Sequence, residues 1–417
     1  MASNPSTLSE QQIRRRRAGY LALSTFTLLF LGLIYAFSMF AAPMGQAFGL
    51  EKTAVALTFN IMMIAFCVGA ILGSQIERVL GLRATIACSA LLFFAGFAGC
   101  GLFGYSGIMS VYLLYGVLGG LGVGIGYNSI IATTNVWFPE KVGFSSGVLM
   151  MGFGLGSLIL GTLAVNLIPA VGLTAVFIGI GVATCIVTLI EAMVLRKPPE
   201  DIVSLMAPEK LSDTGDNPAE GESIFRSSTF YVYYIWAIIV IAIGLATIGN
   251  CASDAQLVGW STGFATLLVG LVSTCNGLAR VVIGMIYDKT NVKVTMLIEA
   301  IVAAAAAGCI IGAFTLGQPV LYVAGAFCCG FCYGGVPVVA SAFARQRFGS
   351  ARYPFNLSIV NFAIVFGSLL NVALQAAVGA DHRVALFTAL LVLSAVALVD
   401  VLPFAKLWNR DMKRLKG

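Results

Sequence analysis

Two polar side chains inside an apolar stretch could bind an anion. The stretch reads NGLARVVIGMIYDK over residues 276–289. It places Arg280 eight residues before Asp288, which is about 12 Å of helix. A guanidinium can give two parallel hydrogen bonds to a carboxylate, and Asn276, one turn earlier on the same face, offers both a donor and an acceptor. The pair predicts a carboxylate site in which the amide contacts a neighbouring hydroxyl or keto group.

Both residues also have plain structural interpretations. Arg280 could extend its long stem toward the inner surface, and Asn276 could form a hydrogen bond between helices. A charge at the centre of a membrane helix costs about 2.5 to 3.5 kcal/mol, so it needs a reason. The acids of the apolar segments lie nearer the segment ends or edges, and these are Glu191, Glu299, Asp400 and Asp254. We therefore favour an anionic ligand for Arg280.

Aromatic and polar residues on other apolar segments reach a similar depth. A count from each predicted inner end, at about 1.5 Å per residue, places them roughly 12 to 18 Å deep. They are Tyr127, Phe153, Tyr333, Asn361 and Phe362. Tyr35 falls at about 27 Å by the same count, where it could belong to an outer gate. We predict that all six contribute to the substrate site, with packing as the alternative for each aromatic ring.

Two loops at the predicted inner side repeat one pattern, a glycine followed four residues later by an acid and then by bases. The loop GSQIERVLGLR supplies Gly73, Glu77, Arg78, Gly81 and Arg83, and the loop GMIYDK supplies Gly284, Asp288 and Lys289. The glycine permits close helix contact, and the charges can pair with a neighbouring helix. We predict a latch between helix ends at both places. Ordinary charged loops are the alternative.

Membrane-spanning helices must position these residues. Of 417 residues, 59% are hydrophobic and 10% charged, and the mean hydropathy is +0.96, more apolar surface than a water-soluble core could bury. A bilayer crossing needs about 20 helical residues. Twelve segments of that length occur, at about 18–42, 53–74, 84–104, 109–134, 144–168, 173–195, 229–252, 260–286, 294–315, 319–343, 354–378 and 384–405. The sequence predicts an all-α membrane protein with twelve transmembrane helices.

The basic residues predict the orientation. Lysines and arginines are retained on the cytoplasmic side, and with the N-terminus inside, only Lys52, Arg280 and Arg383 of the 24 fall outside inner loops and tails. We therefore predict a multi-pass protein of the plasma (inner) membrane with both termini in the cytoplasm. The net charge of +6 then reflects topology, and no nucleic-acid partner is predicted.

A polar stretch rich in Pro, Asp, Glu and Ser separates two sets of six apolar segments. The predicted organisation is a cytoplasmic tail at 1–17, a six-helix bundle at 18–195, a cytoplasmic linker at 196–228, a second six-helix bundle at 229–405 and a cytoplasmic tail at 406–417. No His, Cys and acid cluster has metal-site spacing, and no nucleophile lies beside a base. No catalytic residue, metal or cofactor is predicted, and an enzyme is disfavoured.

The six-plus-six pattern, the central loop and the repeated inner-loop motif resemble the major facilitator superfamily, whose two pseudo-symmetric bundles alternate access to a central path. The motif is degraded in the second half, where TNVK replaces the usual glycine and arginines. Three stretches are similar to the branch of oxalate:formate antiporters and proton-linked monocarboxylate transporters, namely YAFSMFAAPMGQAFG (35–49), GLGVGIGYNSIIATTNVWFPEKVGFSSGVLMMGFGLGS (120–157) and NGLARVVIGMIYDK (276–289). This resemblance implies a secondary transporter that acts as a monomer in the lipid bilayer.

Departures from these relatives bear on substrate and coupling. The oxalate carriers have a second basic residue where Val360 stands, so a single arginine points to a monoanion such as lactate or pyruvate. The animal-type carriers have a lysine and an aspartate where Met39 and Asn276 stand. The usual proton acceptor is therefore missing.

We predict proton-coupled symport of a short monocarboxylate nonetheless. Asp254 and Glu299 are the candidates for carrying the proton, and the substrate's own carboxyl is a third route. His382, in a predicted outer loop, is a poor candidate for a proton relay. The alternatives are anion exchange without a proton and a sensor that binds the acid without moving it.

Overall fold

The computed structural model describes residues 10–198, 222–248, 250–349, 352–379 and 382–416, and the regular elements in these ranges are all helical. Eleven helices there are long and apolar enough to cross a membrane. One of them, Leu57–Ser106, has 50 residues and breaks at Gly81, whose φ of 82° and ψ of 168° suit glycine. The break separates two crossings, so the predicted all-α fold with twelve transmembrane helices is confirmed.

Residue contacts divide the chain into two compact units. The first comprises Met1–Glu140, Val148–Pro208 and Tyr353–Ile359, and the second comprises Lys141–Gly147, Glu209–Arg352 and Val360–Gly417. Residues 142–147, which open the helix Val142–Gly156, therefore belong to the second unit, and the rest of that helix belongs to the first. Residues 199–221 of the predicted linker lie outside the described ranges.

Before the linker, long α-helices are joined by short helical segments. The α-helices are α1 (Glu10–Leu31), α2 (Phe37–Phe48), α3 (Lys52–Phe103), α4 (Ile108–Val111), α5 (Gly120–Val136), α6 (Val142–Gly156), α7 (Thr162–Val171) and α8 (Leu173–Val194). Short 3-10 helices at Gly32–Ala36 and Gly104–Ser106 and π-helices at Tyr112–Gly119 and Ser157–Gly161 join several of them. Aromatic rings fill the core of the first unit, where Phe93 and Phe97 stack at 4.2 Å.

The helices after the linker follow the same plan. A 3-10 turn at Ile224–Arg226 precedes α9 (Ser228–Ile248), α10 (Cys251–Leu257), α11 (Thr262–Lys289), α12 (Val292–Leu316), α13 (Pro319–Phe348), α14 (Tyr353–Asn361), α15 (Ala363–Val378) and α16 (Arg383–Lys416). In the core of the second unit, Tyr233 of α9 stacks on Phe343 of α13 at 4.3 Å. Helices satisfy their own backbone hydrogen bonds, which apolar surroundings require.

Both predicted tails are partly helical. Helix α1 begins at Glu10 and α16 continues to Lys416. At the C-terminal end the reason is packing, because Trp408 lies 5.8 Å from Phe343 and is buried. Asp411 adds a buried polar contact, since it accepts a hydrogen bond from the Thr229 hydroxyl at 2.6 Å. These contacts fix the last turns of α16 to α9 and α13.

Candidate functional site

Arg280 lies on α11 with only 5% of its surface exposed. It precedes Asp288, near the end of the helix, by eight residues, or about 12 Å. Asn276, one turn before it, is also buried. The Arg280 guanidinium is a charged hydrogen-bond donor, and the Asn276 amide can both donate and accept. Because the two lie on one helix face, a single small anion could contact both.

The opening turn of α6 supports the backbone of α11 at Arg280. Gly147 packs so closely that a Cβ at this position would lie 2.5 Å from the Arg280 carbonyl oxygen. One turn earlier, a Cβ on Gly143 would overlap the carbonyl oxygen of Gly284. Glycines four residues apart thus let α6 and α11 touch backbone to backbone. A larger residue at either position would displace the helix that carries Arg280.

Asn276 and Tyr333 are brought together by α13. Gly334 has no room for a side chain, because a Cβ there would overlap the Asn276 carbonyl oxygen. Tyr333, the preceding residue, is half-buried and lies over Gly244 of α9, where a Cβ would come within 2.5 Å of the tyrosine Cβ. Helices α9, α11 and α13 of the second unit therefore meet near Asn276 and Tyr333. Counting residues along each predicted span gives only the depth of these residues and not their contacts.

Asn361 and Phe362 mark an interruption in the predicted eleventh span. Helix α14 ends at Asn361 and α15 begins at Ala363, with Phe362 between them. Asn361 is buried, Phe362 is half-buried, and its ring lies 6.0 Å from that of Phe366. Val360, the position compared with a basic residue in the oxalate carriers, is 1% exposed.

The predicted aromatic residues of the first unit form one cluster around Phe153. Its ring lies 4.6 Å from Tyr127 and 5.3 Å from Tyr35. Phe66 of α3 completes the cluster, with its ring 5.4 Å from that of Tyr127. Phe66 is not among the residues predicted from the sequence. The same depth count from Glu77 would have placed Phe66 about 16 Å deep, alongside the others. Phe153 and Tyr127 are buried, and Tyr35 is half-buried in a 3-10 turn.

Asp288 caps the N-terminus of α6. Its two carboxylate oxygens accept hydrogen bonds from the backbone N–H groups of Gly143 at 2.8 Å and Phe144 at 2.7 Å. The first N–H groups of a helix have no partners within the helix, and its positive dipole end favours a carboxylate. The acid of the second loop motif therefore contacts helix backbone, and Lys289 is exposed.

The first loop motif makes a different contact. Glu77 is buried and lies 2.6 Å from the ammonium group of Lys197, just beyond α8. Gly73 packs against the backbone of Ile125 on α5, where a Cβ would come within 3.0 Å of the isoleucine Cα. Arg78, Gly81 and Arg83 are exposed. Two loops with the same sequence pattern thus hold their helix ends by a backbone cap in one unit and an ion pair in the other.

We expect the cap to be stronger than the ion pair. Asp288→Ala should lower the free energy of unfolding by about 1–2 kcal/mol, because two backbone N–H groups lose their acceptor at a helix N-terminus. Glu77→Ala should cost about 0–1 kcal/mol, since Lys197 is largely in solvent. Thermal unfolding of the two purified variants in the same detergent compares them, and equal losses would contradict the assignment of Asp288 as the stronger contact.

Asp254, one of the two predicted proton carriers, is fully buried on the short helix α10. Its carboxylate lies 2.8 Å from Nε of Arg383, at the start of α16. Burial raises the pKa of Asp254 from 3.8 to about 6, while the positive charge of Arg383 works in the opposite direction. The ion pair ties α10 to α16 and gives Asp254 a structural task.

Glu299, the other predicted proton carrier, is fully buried on α12. Within the described part of the chain, neither of its carboxyl oxygens has a hydrogen-bond partner. The side chain packs on Gly335 of α13, where a Cβ would overlap Oε1 of the glutamate.

Another buried carboxyl belongs to Glu191 of α8, which the sequence marks only as an acid near a helix end. Ser24 and Thr27 of α1 donate hydrogen bonds to it at 2.6 and 3.2 Å. Thr134 of α5 lies 2.9 Å from the Ser24 hydroxyl and extends this network. Glu191 is as completely buried as Glu299, but its oxygens have polar partners.

Comparisons with known proteins agree with a transporter. A sequence profile of the Major Facilitator Superfamily matches residues 21–370. The chain is 26% identical to the oxalate:formate antiporter of Oxalobacter formigenes over 89% of its own length and 88% of that protein. It is 37% identical to apicoplast pyruvate carrier 1 of Toxoplasma gondii over 90 residues, 21% of this chain and 16% of that one. The solved structure of the proton:xylose symporter XylE superposes with a TM-score of 0.74, covering 92% of this chain and 95% of that chain at 16% identity.

Proposed function

Because the chain belongs to the major facilitator superfamily, it is a membrane transporter and not an enzyme, and we propose that it carries a short monocarboxylate such as lactate or pyruvate. The observation that carries this proposal is the burial of Arg280 within a transmembrane helix, one turn from Asn276. Arg280 binds the carboxylate through its planar guanidinium, and Asn276 contacts the hydroxyl or keto oxygen beside it.

The preference for a monoanion follows from the charge count. A dianion in apolar surroundings needs more than one compensating charge. The position at which the oxalate carriers of this branch have a second basic residue is Val360, a buried aliphatic side chain. The site therefore neutralises one carboxylate and leaves a second one without compensation.

We propose that the anion moves together with one proton. Carrying a single charge through 100 mV of membrane potential costs about 2.3 kcal/mol, and a proton removes that cost because the pair is neutral. In the proposed orientation, both termini and the basic loops lie in the cytoplasm and the protein resides in the inner membrane, which the distribution of lysine and arginine supports.

Anion exchange without a proton is the second candidate. It is supported by the similarity to the oxalate:formate antiporter, which extends over most of both chains. Exchange would also fit the asparagine at position 276, where the animal-type monocarboxylate carriers have an acid.

Flux measurements in proteoliposomes test both candidates. We expect a more acidic outside to accelerate labelled lactate or pyruvate uptake into vesicles without internal substrate, after subtraction of diffusion into protein-free vesicles. A pH difference of one unit should support about tenfold accumulation if one proton accompanies each anion. Uptake that requires internal anion and ignores the pH difference would favour exchange, and uptake of oxalate but not lactate would contradict the proposed substrate.

A further inference from the structure

Glu299 stands out among the buried acids of the second unit because its carboxyl has neither a hydrogen bond nor an ion pair with any residue that the structure describes. The residue has no exposed surface, and among the described residues neither oxygen accepts or donates a hydrogen bond. Asp254 is paired with Arg383 and Asp411 with Arg347. A buried ionised carboxylate without compensation costs several kcal/mol, whereas the neutral acid costs far less. The surroundings of Glu299 therefore fit a carboxyl that holds a proton.

The position of Glu299 connects it to the residues proposed to bind substrate. Its Oε1 fills the space that a side chain on Gly335 would occupy, and that space also borders Ile283 of α11. Gly334, next to Gly335, is the glycine that packs on the Asn276 backbone. Glu299 thus lies against the same two helices, α11 and α13, that carry Arg280 and Tyr333. A shift of α13 against α11 would change the surroundings of its carboxyl.

Two weak acids of the described chain lie near Glu299. Tyr233 of α9 and Cys332 of α13 interact electrostatically with it. Tyr287 of α11 donates its hydroxyl hydrogen to Gln346 at 2.6 Å. Helix α16, which packs along α12, carries Asp400 and Asp411, and the latter is paired with Arg347.

We propose that Glu299 binds the proton that accompanies the monocarboxylate. The inference rests on the proposed proton symport and names its coupling residue. In the conformation described here, the proton is held in an apolar enclosure closed by Gly335. When α13 moves relative to α12, water reaches the carboxyl and the proton leaves. Asp254 is less suited because Arg383 already neutralises it, and Glu191 because the hydroxyl groups of Ser24 and Thr27 donate hydrogen bonds that stabilise its ionised form.

Glu299→Gln separates proton coupling from substrate movement, because glutamine keeps the shape but cannot release a proton. We expect this variant to lose the roughly tenfold accumulation driven by one pH unit and to equilibrate lactate instead. Exchange of labelled for unlabelled lactate should continue, since exchange needs no net proton movement. Glu191→Gln is the matched control, an identical change at an equally buried acid, and it should retain accumulation.

The outcomes distinguish the two levels of the proposal. Wild-type protein that shows no response to the pH difference would refute symport itself. Accumulation that persists in Glu299→Gln, or that is lost equally in Glu191→Gln, would overturn the assignment to Glu299.

A second measurement on the wild-type protein covers the case in which the variant does not fold. Dicyclohexylcarbodiimide reacts with protonated carboxyls in apolar surroundings. Peptide mapping by mass spectrometry should locate the label on Glu299 and show that its labelling parallels the loss of pH-driven accumulation. Complete inhibition with Glu299 unmodified would overturn the proposal.

Discussion

Arg280→Ala is expected to reduce lactate and pyruvate uptake at least about thirtyfold, because removal of one member of a buried charged pair typically costs about 2–5 kcal/mol. The side chain is almost fully buried on α11, so water cannot take its place at the carboxylate. The uptake rate of Arg280→Lys should lie between those of Arg280→Ala and the wild type, because lysine keeps the positive charge but lacks the planar guanidinium. Initial rates of uptake and of exchange in proteoliposomes measure the effect.

The control for this prediction is Arg410→Ala. Arg410 belongs to the same unit, but its side chain is 67% exposed, and its removal should leave uptake within the error of the wild type. Thermal unfolding in detergent shows whether each variant is folded. A folded Arg280→Ala protein that transports at the wild-type rate would refute the assignment of Arg280 as the carboxylate ligand.

Val360→Lys is expected to move selectivity from monocarboxylates toward oxalate or malonate by about tenfold or more, which corresponds to about 1.4 kcal/mol. Val360 is buried at the end of α14, so an ammonium group there is costly until a second carboxylate neutralises it. Oxalate should therefore raise the thermal stability of this variant, because a ligand that binds only the folded state stabilises it.

Val360→Met provides the comparison for the lysine variant. Methionine has a similar length and no charge, so any change that it causes reflects volume alone. If both substitutions alter the ratio of oxalate to lactate uptake equally, or if neither does, the charge-count argument for a monoanion is wrong. Competition of labelled lactate uptake by a panel of mono- and dicarboxylates gives the ratio directly.

The cap at Asp288 and the arginine at position 280 are parts of one helix contact. Along α11, Arg280, Gly284 and Asp288 follow at intervals of four residues, and Gly143 and Gly147 of α6 face them. Backbone contact of this kind holds two helices at a fixed separation. A disturbance at the capped end of α6 would therefore reach the backbone of Arg280 within two helical turns.

The helix count could be predicted from the sequence, but several helix ends could not. Twelve apolar segments of sufficient length require twelve crossings, because the cost of placing polar backbone in a bilayer acts on each segment separately. The interruption at Phe362 and the extension of α16 to Lys416 do not follow from hydropathy. The extension depends on Trp408 meeting Phe343, a residue far away in the chain.

The sequence by itself predicts that Arg280 and Asn276 form an anion site, because the cost of a buried charge and the four-residue spacing on a helix are local properties. The tertiary structure alone decided which partners the other residues have. Phe66 joins the aromatic cluster, Asp288 caps α6, and Glu299 is enclosed without a hydrogen bond in the described part of the protein. These properties depend on atoms contributed by distant segments, and the three acids Glu77, Asp288 and Glu299 look alike until the helices have packed around them.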